Sequence, residues 1–176
     1  MPRPILQAGA PVLRQKAKKV RTFGPQVASL VDNMLESMNA ADGLGLAAPQ
    51  IGVPQRVIVI QMPGETNEEG EETEPGELYV YCNPEIVEAK GEEEGPEGCL
   101  SVVGYVGQVK RATAVTVKGE DVKGRRIRTK ATGLLARAFQ HEIDHLDGVL
   151  YIDRIDSPEK LRRVGENEAA ENGLVE

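Results

Sequence analysis

The chain has 176 residues, 40% of them hydrophobic and 28% charged, enough for one well-buried domain and too few for two. No apolar run approaches the roughly 20 residues that a membrane-spanning helix needs, so no membrane association is expected. The formal charge of −7 reflects 28 acidic against 21 basic residues. Seven of the acids fall within residues 64–77, so the rest balances at 21 against 21 and carries no footprint of specific nucleic-acid binding.

In chain order, Met1-Pro2-Arg3-Pro4-Ile5-Leu6 lacks the apolar core of a secretory signal and is not an organelle transit peptide. Two cysteines, Cys82 and Cys99, are too few for a disulfide framework and fit a reducing compartment, so a cytoplasmic protein is expected. Residues 25–40 predict the clearest helix: Gly24 and Pro25 suit its start, and Val27, Leu30, Val31, Met34, Leu35 and Met38 recur at helical spacing. Residues 57–60, Val-Ile-Val-Ile, predict a buried strand. Residues 64–77 (GETNEEGEETEPGE) contain no apolar side chain and read as a solvated, mobile loop inserted in the domain.

Residues 78–82, 85–89, 99–103 and 112–118 are further β-rich runs, many parted by Gly, Pro or Asn. A turn at 121–124 leads into 125–129, a charged run expected at a sheet edge. A second helix is predicted from about Thr132 to Asp147, stopping at Gly148. Ser157-Pro158-Glu159 reads as another helix start. Residues 165–176 are acidic, with glycines at both ends, and are expected to form a mobile tail. Neither repeat nor linker divides the chain, so residues 1–176 form one α+β domain, antiparallel sheets around a central helix.

The chemistry begins with His141-Glu142-Ile143-Asp144-His145. Positions i and i+4 share a helix face, so the chain's only two imidazoles can converge on one ion. Glu142 can flank that ion without binding it, which suits a general base acting on water. Leu134, Leu135, Ala138 and Phe139 put apolar groups on or near the same side, so the histidines point inward. A third ligand is available upstream in Glu97-Gly98-Cys99-Leu100-Ser101, where Cys99 would complete a Cys/His/His set with one open position. Cys82, inside an apolar run, reads as a small buried hydrophobe. Residues 43–52 superficially resemble a dinucleotide-binding loop, but a helix precedes them and Pro49 blocks the helix that should follow. Their glycines let backbone pass close to a ligand. The amide of Gln50 can donate to a developing oxyanion while its carbonyl accepts from water.

Together, GLGLAAPQ at 43–50, EGCLS at 97–101 and HEIDH at 141–145 resemble the three signature motifs of the peptide deformylases, in the family's order. The resemblance extends from the N-terminal Pro4-Ile5-Leu6 through Pro11-Val12-Leu13-Arg14 to Gly133-Leu134-Leu135-Ala136, and spans residues 4–155. It implies a metal-dependent hydrolase that removes the N-formyl group from the formyl-methionine of newly synthesised proteins, releasing formate. It further implies that Cys99, His141 and His145 bind the metal and that Glu142 shuttles the proton. Gln50 and the backbone N–H of Leu100 would form the oxyanion hole. Gly43, Leu44, Gly45 and Leu134 would line the substrate groove and methionine pocket.

The implied cofactor is one divalent ion, Fe(II), with Zn(II), Ni(II) or Co(II) suiting the same donors. The implied protein is a bacterial cytoplasmic monomer that meets nascent peptides, transiently at the ribosome. Arg14, Lys16, Lys18, Lys19 and Arg21 are one basic cluster for such a contact. Three positions depart from the family: Val103 and Val106 stand where proline and arginine are common, and Arg137 stands near the methionine pocket where an apolar residue is common. A conventional zinc metallopeptidase and a structural-metal module are the rival readings of the same histidine pair.

Overall fold

The computed structural model describes residues 2–164; the tail expected at 165–176 lies outside the described residues. Two helices cover opposite faces of one antiparallel sheet. Helix α1 spans Pro25–Ala40, with Pro25 at its first position, where the missing N–H costs nothing. Strand β1 (Gly45–Ala47) follows, then a single 3-10 turn (Ala48–Ile51) and β2 (Val57–Gln61). The acidic segment contains β3 (Glu65–Thr66) and β4 (Glu72–Glu74). Next come β5 (Leu78–Lys90), β6 (Glu93–Cys99), β7 (Val102–Arg111), β8 (Ala114–Glu120) and β9 (Arg126–Thr132). Helix α2 (Gly133–Leu146) starts directly from β9, and β10 (Leu161–Arg163) ends the described chain.

The main sheet has the order β1-β2-β5-β8-β9, and a smaller one the order β10-β7-β6. The apolar run of β2 is explained by burial on both faces. Ile58 and Ile60 join the core under α2, with Phe139, Ile143 and Leu146. Val57 and Val59 join the core under α1, with Leu30, Val31, Met34 and Met38. Cys82 packs on the α1 side, fully buried, and burial together with the charges of Glu120 and Asp121 pushes its thiol up to about 11. As expected, β9 is an edge strand, its Arg126, Arg128 and Lys130 exposed.

Four sequence expectations change. The runs at 78–82 and 85–89 are one strand, in which Asn83 at φ 52° and Pro84 form a bulge instead of a break. The Asn83 side chain repairs the ladder by bonding both the N–H and the carbonyl of Val20. Residues 99–103 are not one strand: Leu100 and Ser101 turn the β6–β7 hairpin, with Cys99 ending β6 and Val102 and Val103 opening β7. Pro158 opens only a 3-10 turn, because Leu161–Arg163 are drawn into pairing with β7. The acidic segment closes as a small exposed hairpin held by Asn67, whose side chain accepts from the N–H groups of Glu69 and Glu71.

That hairpin leaves the main sheet at Gln61 and rejoins it at Leu78, which are paired neighbours. Replacing residues 64–77 by a short turn should therefore shift the thermal midpoint by less than about 3 °C, since closing the gap costs little entropy. A larger drop in a melting experiment would show that the segment packs on the body.

Candidate active site

Helix α2 is sharply bounded. Gly133, at φ 56°, allows the chain to turn from strand into helix without a loop. At the other end Gly148, at φ 76°, donates to the carbonyl of His145, and Val149 donates to that of Asp144, a Schellman closure. The last helical turn, which carries His145, is thus fixed by backbone hydrogen bonds, joined by Arg56, which donates to the Leu146 carbonyl.

The helix presents two buried stripes. Ala136, Phe139, Ile143 and Leu146 face the main sheet. The side chains of Arg137, His141, Asp144 and His145 instead reach residues of the β6–β7 hairpin. The histidines are buried, but against that hairpin and not beside Leu134, which is 40% exposed, while Leu135 is half-buried. The rings of His141 and His145 lie 5.0 Å apart, and Cys99 Sγ is 3.4 Å from His145 Nε2. One ligand atom from each of Cys99, His141 and His145 lies within 4.8 Å of the others, and all three residues are buried. Such a thiolate and imidazole set matches a borderline-soft divalent ion. Burial, reinforced by the charges of His141 and Arg111, holds His145 well below the usual imidazole range, so it is neutral and able to ligate at neutral pH.

The group that orients this set is Glu97, whose role no local pattern in the sequence displays. It is 1% exposed and takes His141 Nδ1 at 2.8 Å, turning Nε2 away from itself. Arg111 donates to both of its oxygens at 2.8 and 2.9 Å, and Arg137 donates at 2.6 Å. Burial would raise its pKa, but the hydrogen bonds from Arg111 and His141 outweigh burial and hold the carboxyl well below the usual range. Arg111 also donates to Asp144, itself gripped by Arg154. The only sequence signal for Arg111 was its inward parity on β7, two residues beyond buried Val109. Arg137, placed by resemblance near the methionine pocket, spends its guanidinium on Glu97 and on the carbonyls of Val109 and Glu93.

Glu142 is fully buried on the β1 side of the helix. A Cβ at Gly45 would lie 2.5 Å from its Oε2, and one at Gly43 would lie 2.5 Å from Leu100 Cδ1, so a side chain at either place would push Glu142 or Leu100 from its position. Gln50 is fully buried in the 3-10 turn. Its Oε1 accepts from the Ala47 N–H at 2.9 Å, which fixes the amide's orientation. Nε2 therefore points at Ser101 Oγ, 3.0 Å away, and at Cys99 Sγ, 3.7 Å away. Gly43, Gly45, Gln50, Cys99, Leu100, His141, Glu142 and His145 are thus drawn together from three separate segments. Leu44 is half-buried beside them in sequence, and Leu134 is exposed at the start of α2.

Glu97→Gln should weaken metal binding about 10–100-fold, the usual cost of losing a partner behind a ligand, read by chelator competition. It should also destabilise the fold, because Arg111 would be left buried and undercompensated. With its folded pKa lowered, Glu97 contributes stability above its unfolded value of about 4.3 and loses it as pH falls through the folded one. The gap in stability between wild type and Glu97→Gln should therefore narrow only below about pH 4. A gap that narrowed between pH 8 and 5 would contradict this.

The model of the polypeptide deformylase family matches residues 2–161. The peptide deformylase of Thermomicrobium roseum is 48% identical over 166 residues, 94% of this chain and 93% of that protein. Among solved structures, a peptide deformylase from Legionella pneumophila superposes with a TM-score of 0.79 at 41% identity, covering 99% of this chain and 94% of that one. A class I type b peptide deformylase from Acinetobacter baumannii, solved with Met-Ala-Ser bound, gives 0.79 at 35% identity over 88% of this chain and 99% of that one. With fold, motifs and nearly the full length in agreement, the chain belongs to the peptide deformylase family, the metal-dependent hydrolases that remove the formyl group from the N-terminal methionine of new proteins.

Proposed function

We propose that Cys99, His141 and His145 hold one divalent ion, Fe(II) in the cell, and that Glu142 is the acid and base of deformylation. The observation that carries this reading is the convergence of three buried donors beside a fully buried carboxylate. A divalent ion held there supplies Lewis-acid activation of water. Glu142 takes the proton from the water that attacks the formyl carbon. It then delivers that proton to the amine nitrogen as the C–N bond breaks, releasing formate and a free methionine N-terminus.

The oxyanion is received by the Leu100 N–H and by Gln50. One N–H of Gln50 is committed to Ser101, and the other, weakly held 3.7 Å from Cys99 Sγ, is the one that donates. Gly43, Leu44, Gly45 and Leu134 border the peptide. The A. baumannii structure, with Met-Ala-Ser bound, supports a methionine-first peptide as the occupant.

The place of action is the bacterial cytoplasm, as a monomer on nascent chains. Among the described residues no helix is long and apolar enough to cross a membrane. Transient ribosome contact is supported by a groove whose lining includes Lys16, Lys19, Arg126 and Arg128, none of them in an ion pair among the described residues, beside the carboxylates of Glu85, Glu120 and Asp147. Arg14, by contrast, is paired with Asp153.

Glu142→Gln should keep near-stoichiometric metal and lose about 10²–10⁴-fold in kcat, measured as formate release from formyl-Met-Ala-Ser without oxygen. Cys99→Ser and His145→Ala should lose metal on mild dialysis, while Cys82→Ser keeps it. Equal metal retention in all of these proteins would sink the ligand set. Charge reversal at Lys16, Lys19, Arg126 and Arg128 should abolish salt-sensitive co-sedimentation with ribosomes and leave formate release unchanged. Unaltered co-sedimentation would move the contact elsewhere.

A further inference from the structure

The N-terminal segment makes contacts that neither the family motifs nor the proposed chemistry uses. Pro2-Arg3-Pro4 starts it extended, since proline fixes its own φ and disfavours helix in the residue before it. The Arg3 N–H is tied to Ser37 Oγ of α1 at 2.8 Å. Ile5 packs against the core under α1, and Leu6 is half-buried. So anchored, the next residues cross the back of the site. Leu6 N–H donates to the Gln50 carbonyl at 2.8 Å, and Ala8 N–H donates to the Ser101 carbonyl at 2.7 Å. Between them, Gln7 Nε2 donates to the Leu100 carbonyl at 2.9 Å, with a longer contact of 3.3 Å to the carbonyl of Ile5.

These three acceptors are not arbitrary. Gln50 and Leu100 are the two oxyanion donors of the proposed mechanism, and Ser101 Oγ holds the Gln50 amide. They come from a 3-10 turn and a hairpin turn some 50 residues apart in the chain. Each turn could be well formed and still stand at the wrong separation. An oxyanion hole tolerates errors of only about 0.5 Å and 10–20° in its donors. The strap sets that separation by bonding to both turns at once. Gln7 fixes the plane of the Leu100–Ser101 peptide, and Ala8 fixes the next. The Leu100 N–H belongs to the preceding peptide, so the strap acts on its direction from the C-terminal side, by holding the chain that leaves Leu100.

We propose that residues 5–8 are a strap that positions the oxyanion donors, with Gln7 as its positioning side chain. The inference rests on the assignment of Gln50 and Leu100 as those donors. Gln7 itself is exposed and contributes no core packing, so its loss is felt in catalysis and not in folding. Ile5 and Leu6 provide the anchorage.

The test compares Gln7→Ala and the isosteric Gln7→Glu, which cannot donate, with Gln50→Ala and wild type. All four proteins are loaded with Co(II) or Ni(II). Both Gln7 variants should lose roughly 10-fold in kcat for formyl-Met-Ala-Ser, less than the 10²–10³-fold expected when a donor is removed outright. KM should stay within about two-fold, because ground-state binding does not use the oxyanion. Metal content, the Co(II) absorption spectrum and the thermal midpoint should match wild type. Unchanged kcat in both Gln7 variants, with Gln50→Ala impaired, would overturn the strap and spare the mechanism. A loss of kcat that came with lost metal or a lower midpoint would reduce Gln7 to a structural role and overturn it as well. Full activity in Gln50→Ala would remove the oxyanion assignment, and the strap's function with it.

Discussion

The carboxylate of Glu97 sits out of water among three cationic or polar partners, and the geometry of the site depends on that arrangement. Burying a charge is costly unless partners compensate it, and here they arrive from two directions. Arg111 comes from β7, the strand paired with β6, while Arg137 and His141 come from α2. The ion cluster is satisfied in one docking of the β6–β7 hairpin against the helix. That docking brings Cys99 at the hairpin tip to His145. Displacing either element would also break the Arg111–Asp144 pair, since Arg111 spans both carboxylates. A buried cluster of this kind specifies an arrangement more than it stabilises one.

Around that contact the rest of the site stands on rigid elements. The main sheet is covered on both faces, and α2 is closed at its C-terminal end by backbone hydrogen bonds. Gly45 on β1 lets the sheet edge approach Glu142 so closely that a Cβ there would force the carboxylate to shift. Gln50 is oriented by a backbone amide three residues earlier, so its donor end is fixed before any substrate arrives. On the proposed mechanism this is preorganisation: the Gln50 amide is held by a bond that the reaction need not break.

The two cysteines show how environment separates chemistry from packing. Cys82 lies in an apolar layer, where burial and the nearby charges of Glu120 and Asp121 favour the neutral thiol. Cys99 lies at a turn with Gln50, Ser101 and His145 around its sulfur. The same residue type is filler in one place and a candidate ligand in the other, and the distinction was legible from the neighbours in the chain.

Much of this protein is local in origin, and local features are what a sequence displays. The period of α1 matches its stripe of buried side chains, β2 reads as a strand buried on both sides, and β9 as an edge. The two histidines are held on one face by the helix repeat alone. The motif residues of the site could be named for the same reason, each standing in a short run with recognisable chemistry. Glu97, Arg111 and Gln7 could not. A buried, paired carboxylate is spelled like an exposed one, and Arg111 looks like any charged end of a strand. Their partners lie between 14 and 93 residues away, and only folding decides which charges meet. The same holds for Pro158, whose helix signal lost to the free edge of β7, and for the Asn83 bulge, rescued by a loop residue 63 positions earlier. The sequence alone determined which groups could do the chemistry; tertiary structure decided their distances and orientations, because those depend on contacts between segments that no local pattern encodes.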